Sequence, residues 1–130
     1  MKKMLLIEDD DLSVNVMRRI FRDDFEMFVV DSAEEFYEKY RNNNFDIIIM
    51  DISLKGSKNG LVLVKEIKED TSYNGAPILC LTAHAQTKMR LTALESGSDL
   101  FMTKPVNNKI LKEAVEFLLK SKLSGIKMKI

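Results

Sequence analysis

Five short apolar runs, none of them alternating with polar residues, constrain this chain more than any other feature. They are Met4-Leu5-Leu6-Ile7, Met27-Phe28-Val29-Val30, Ile47-Ile48-Ile49-Met50, Ile78-Leu79-Cys80-Leu81 and Leu100-Phe101-Met102. A strand with one wet face alternates, so an unbroken run reads as a strand covered on both faces. Between the runs the period changes to that of helices. Leu12 to Arg22 carries Val16, Ile20 and Phe21 on one face. Ser32-Ala33-Glu34-Glu35 is a capping box that opens a helix reaching about Arg41. Leu61 to Glu69 and Gln86 to Ser96 read as the third and fourth helices, with Gly97 as a stop. Ile110, Leu111, Ala114, Val115, Leu118 and Leu119 stripe a fifth. Five β/α repeats joined by right-handed crossovers give an α/β fold: a doubly wound, five-stranded parallel sheet with five helices. At 130 residues the chain is expected to be one domain, 1–124, followed by a flexible tail over 125–130.

Composition removes several kinds of function. Twenty basic and twenty acidic residues cancel, so no electrostatic footprint for nucleic acid exists. No apolar stretch approaches the roughly 20 residues that span a bilayer. Met1-Lys2-Lys3-Met4 resembles the charged start of a leader, but Glu8 to Asp11 interrupts any apolar core. A single cysteine, Cys80, excludes an internal disulfide and a cysteine zinc site, and points to a reducing, cytoplasmic setting. With one histidine, a His-rich metal site cannot be built.

Ligands of open α/β sheets bind beyond the carboxyl ends of the strands. Strand one runs into Glu8-Asp9, strand three into Asp51, strand four into Thr82, and strand five into Lys104-Pro105. Strand two ends in Asp31, which the cap at Ser32 already explains. Each residue is ordinary alone. Asp10 and Asp11 read as acids favoured by a helix start, Cys80 as core, and His84 as an exposed loop residue. Glu8, Asp9, Asp51, Thr82 and Lys104 together at one sheet end are not ordinary. Three carboxylates this close repel unless something compensates. A hard divalent cation with oxygen ligands, Mg²⁺, is one compensator, and the Lys104 ammonium is another. A carboxylate nucleophile, a metal, a hydroxyl and an ammonium make an arrangement for phosphoryl transfer to Asp51.

The set LLIEDD, IIIMD, LCLTA and FMTKP, in that order, resembles the response-regulator receiver domain of two-component signalling, from Lys3 to about Lys122. The resemblance implies the flavodoxin-like strand order 2-1-3-4-5. It implies Asp51 as phosphoacceptor, taking a phosphoryl group from a sensor histidine kinase or phosphotransfer protein. Mg²⁺ would be held by Asp9, Asp51 and the Ser53 carbonyl, with Glu8 acting through a water. Lys104 would hold the phosphoryl group, and Thr82 and Phe101 would form the switch. Ser53 and His84 occupy the positions that tune phosphoryl lifetime. Relatives have a cis peptide at the position of Lys104-Pro105. Three departures stand out: Glu8 where some relatives have aspartate, Lys55 where many have proline, and one extra residue before Gly60. Phe101 also lacks the hydroxyl of the tyrosine often found there.

The output is expected to be a protein contact with an unspecified downstream protein. It would use the face of helix four, strand five and helix five: Met89 to Glu95, Phe101, and the polar side of Asn107 to Lys122. Homodimerisation through that face stays open. A receiver fragment of a larger hybrid kinase or multidomain regulator is the alternative. A Mg²⁺-dependent phosphohydrolase of the haloacid-dehalogenase type is remote, because it needs a second aspartate where Ser53 stands. A classical enzyme is not expected; the domain would promote its own phosphorylation and dephosphorylation.

Overall fold

The computed structural model describes residues 1–52, 59–83, 92 and 95–124. Strands β1 (Lys2–Ile7), β2 (Phe25–Val30), β3 (Ile47–Asp51), β4 (Ile78–Thr82) and β5 (Leu100–Thr103) alternate with helices. The helices are α1 (Asp11–Phe21), α2 (Ala33–Lys39), α3 (Gly60–Glu69) and a C-terminal helix, Asn108–Ser124. All neighbouring strands are parallel, in the order β2-β1-β3-β4-β5. Of the predicted fourth helix, only its end is described. Ser96 N–H bonds to Thr92 O at 2.9 Å, and Gly97 turns at φ +109°, where a side chain would be strained. The tail 125–130 lies outside the described residues.

The unbroken apolar runs are explained by two cores. Leu5, Ile7, Ile48, Met50, Ile78, Cys80 and Phe101 face α2 and α3, meeting Ala33, Phe36, Leu63, Val64 and Ile67. Their alternate neighbours Met4, Leu6, Ile47, Ile49, Leu79, Leu81 and Leu100 face α1 and the C-terminal helix, meeting Met17, Ile20, Phe21, Leu111, Val115 and Leu118. Successive strand residues point to opposite faces, so both faces must be apolar when helices cover both. Among the described residues, no helix is long and apolar enough to cross a membrane.

Several local expectations need correction. The buried face of α1 is Met17, Ile20 and Phe21, and Val16 is exposed. The residue at i−3 from Ile20 turns inward with it, and the one at i−4 falls at the rim. Ile110 is likewise exposed at the edge of its stripe. Helix α2 stops at Lys39, two residues short of Arg41. In its capping box Ser32 Oγ accepts from Glu35 N–H at 3.1 Å, but Glu35 Oε1 reaches back to Asp31 N–H at 2.8 Å, one residue before the cap. Asp31 is thereby part of the helix start and not of a ligand site.

Candidate functional site

Parallel register brings the strand ends level. Ile7 pairs with Met50, Asp51 with Leu81, and Thr82 with Thr103. The next residue of β1 is therefore Glu8, level with Asp51, and the next residue of β5 is Lys104. Glu8 N–H bonds to Val30 O at 2.9 Å and Lys104 N–H to Thr82 O at 2.7 Å, so each turn is tied to a neighbouring strand. The Lys104–Pro105 peptide is cis.

The site is an acid cluster closed by one cation. Lys104 Nζ lies 2.6 Å from Glu8 Oε1 and 3.4 Å from Asp51 Oδ2. Glu8 is buried, and its second oxygen accepts from Asp9 N–H at 3.1 Å and Asp10 N–H at 3.4 Å. The Asp51 side chain keeps 11% of its surface exposed, enough to be reached from solvent. Burial, and then the neighbouring Asp51 carboxylate, push Glu8 up to about 7 against the pull of Lys104. Burial disfavours the charge on Lys104, but its bond to Glu8 and the attraction of Asp51 outweigh this and hold the ammonium above its ordinary range.

Glu8, Asp9 and Asp51 each offer an oxygen, all within 4.8 Å of one another. Three hard, anionic donors with no nitrogen or sulfur among them suit a cation such as Mg²⁺. Thr82 is fully buried at the adjoining end of β4. Phe101 sits on β5 with its ring in the core against α2 and α3, opposite Cys80. Asp10 is not a donor to the cluster. It caps α1, accepting from Ser13 N–H at 3.0 Å and Ser13 Oγ at 2.7 Å. Ser53, Lys55, His84 and Met89 lie outside the described residues. The sequence reading missed the clasp of Glu8 on the amides of Asp9 and Asp10. It also missed the contact of Gly60 with the backbone of Asp51; a lone glycine after the cap residue Asn59 was the only signal.

Residues 4–116 match the response regulator receiver domain, and the chain belongs to that family. It is 32% identical over 119 residues to the regulatory protein VanRB of Enterococcus faecalis, covering 91% of this chain and 52% of that protein. The chain thus spans about half the length of that relative. It is 31% identical over 121 residues to the chemotaxis protein CheY of Halobacterium salinarum, covering 91% of this chain and 97% of that one. Its fold is similar to the receiver domain of a sensor histidine kinase of Pseudomonas aeruginosa PAO1, with a TM-score of 0.82 at 23% identity, covering 92% and 98% of the two chains. That domain was solved with a magnesium ion coordinated in its active-site cleft.

Proposed function

We propose that this chain is a phospho-accepting regulator that takes a phosphoryl group onto Asp51 from a histidine kinase or phosphotransfer protein. The observation that carries the reading is the convergence of Glu8, Asp51 and Lys104, with one ammonium 2.6 Å and 3.4 Å from two carboxylates of different strands. An Asp51 oxygen attacks phosphorus, the donor's P–N bond breaks, and the imidazole leaves with the electron pair. Lys104 turns from Glu8 to the phosphoryl oxygens as their charge moves onto Asp51. Glu8, Asp9 and Asp51, with the Ser53 carbonyl, would hold Mg²⁺. When bound, that ion supplies neutralisation of the phosphoryl oxygens and aligns them for displacement. Hydrolysis by water at phosphorus restores the Asp51 carboxylate and releases phosphate. Ser53 and His84 tune that lifetime.

Thr82 bonds the phosphoryl group after transfer, and Phe101 moves with it. The phosphoryl group then biases a two-state equilibrium of a face around Thr92, Glu95, Phe101 and the polar side of the C-terminal helix. The domain is taken as 1–124 and its compartment as the cytoplasm; the lone, buried Cys80 agrees with a reducing setting. A second reading keeps the same chemistry within a longer hybrid kinase or multidomain regulator. The 52% coverage of VanRB favours it.

The test is intact mass after incubation with acetyl phosphate, with and without Mg²⁺, for the wild type and Asp51→Asn. A Mg²⁺-dependent gain of one phosphoryl group, absent in the variant, is expected. No gain in a wild type that also fails to bind Mg²⁺ overturns the reading, no gain with Mg²⁺ bound points to an acceptor that needs its own kinase, and a gain that survives Asp51→Asn moves the acceptor elsewhere.

A further inference from the structure

Gly60 opens α3, and its N–H bonds to Ile52 O at 2.9 Å. It touches the strand end that carries Asp51 with nothing between. A Cβ at Gly60 would lie 2.7 Å from Asp51 O and 2.7 Å from Ile52 Cα, with Ile52 O at 3.2 Å. All three are backbone atoms, so no rotamer change relieves the overlap. Neither side can retreat cheaply. Ile52 N–H is bonded to Leu81 O at 3.0 Å, and β3 is paired with both β1 and β4. Helix α3 is anchored by the buried Leu63, Val64 and Ile67. Among the described residues, the only glycines with positive φ are Gly75 and Gly97, so Gly60 is not required by its backbone angles. What requires it is close approach.

We infer that Gly60 is a positioning residue for Asp51. By lacking a side chain it lets the first turn of α3 press on the Asp51–Ile52 peptide and fix the acceptor carboxylate relative to Glu8, Asp9 and Lys104. This rests on the reading of Asp51 as acceptor, but the contact it invokes is independent of metal and phosphate. Misplacement of a reacting group by about 1 Å costs on the order of a hundredfold, so even a partial shift should be readable.

The experiment compares the wild type, Gly60→Ala and Ile67→Val, the last trimming the buried face of the same helix. Two readouts are taken in folded protein: the Asp51 carboxyl ¹³C resonance without metal, and the dissociation constant for Mg²⁺ alone. Gly60→Ala should move the Asp51 resonance and weaken Mg²⁺ binding by about tenfold or more. Ile67→Val should leave both near the wild type. An unmoved Asp51 resonance in Gly60→Ala, or an equal change in Ile67→Val, overturns the inference. If the wild type itself fails to bind Mg²⁺, the functional reading fails, yet the Asp51 resonance still decides the role of Gly60. Should Gly60→Ala not fold, Asn59→Ala decides. It removes the cap bond from Val62 N–H to Asn59 Oδ1, 3.0 Å, and loosens the same turn. An unchanged Asp51 resonance in that variant overturns the inference.

Discussion

Lys104 Nζ is held 2.6 Å from Glu8 Oε1, more closely than the 3.4 Å that separates it from Asp51 Oδ2. The cation therefore rests on Glu8 and not on Asp51, the proposed acceptor. Glu8 needs it more, since its side chain is only 3% exposed and an uncompensated buried charge is costly. The ammonium is already within reach of Asp51, so charge arriving there can draw it across without rebuilding the strand end.

Stability in chelator should fall as pH rises from about 4.5 to about 7. Glu8 is pushed from its ordinary 4.5 up to about 7 in the fold. Between those values the folded chain keeps a proton that the unfolded chain has lost, so folding is penalised as pH rises. The loss should be on the order of 2–3 kcal/mol. Asp10, Glu35 and Asp70 are held below their ordinary values by hydrogen bonds, so they act oppositely, losing their stabilisation only in acid below that window. The raised Lys104 matters only under alkaline conditions, where its stabilisation is lost. Urea denaturation in chelator across the window reads the slope, and Glu8→Gln should flatten it. A wild-type stability that climbs with pH there would contradict the assignment.

Lys104→Met should lower the rate of labelling by acetyl phosphate by at least about tenfold while the fold persists. The variant loses the cation proposed to meet the phosphoryl oxygens, but a proton on Glu8 limits the structural damage. Lys104→Arg should recover only part of the rate, because a planar guanidinium does not replace a compact ammonium between two acids. A mass-spectrometric time course checks both; wild-type kinetics in Lys104→Met would remove this residue from the mechanism.

How far the sequence was readable follows from where the information sits. The doubly wound sheet was legible because each strand's two faces meet separate cores, leaving unbroken runs such as Ile47 to Met50. Glu8, Asp51, Thr82 and Lys104 were legible because each directly follows or closes a strand, so topology alone assembles them. The inward choice of Met17 over Val16 was not legible, since both fit a helical stripe and only the crossing geometry selects one. Nor was the contact of Gly60 with Asp51, which depends on distances between backbones, not on residue types.

Asp10→Ala should lower stability through the lost helix cap and leave Mg²⁺ affinity within about threefold. Its carboxylate is spent on Ser13 N–H and Ser13 Oγ, and it is exposed. Asp9→Ala should do the reverse, weakening Mg²⁺ binding far more than folding. Urea denaturation beside Mg²⁺ titration separates a cap from a ligand for two adjacent acids; a large loss of Mg²⁺ affinity in Asp10→Ala would place it in the metal site.

Phe101→Ala should cost about 3–5 kcal/mol, because its ring is 4% exposed and packed in the core shared with α2 and α3. That loss makes alanine a poor probe of switching, since partner binding would fail through unfolding alone. Phe101→Leu keeps most of the apolar volume and should cost markedly less. Phe101 is not among the acid-cluster residues, so the leucine variant should take acetyl phosphate at the wild-type rate. A slower rate in the folded leucine variant would mean that the ring supports the acceptor site itself. An unchanged rate agrees with the proposal that Phe101 acts after transfer, between Thr82 and the proposed partner-binding face.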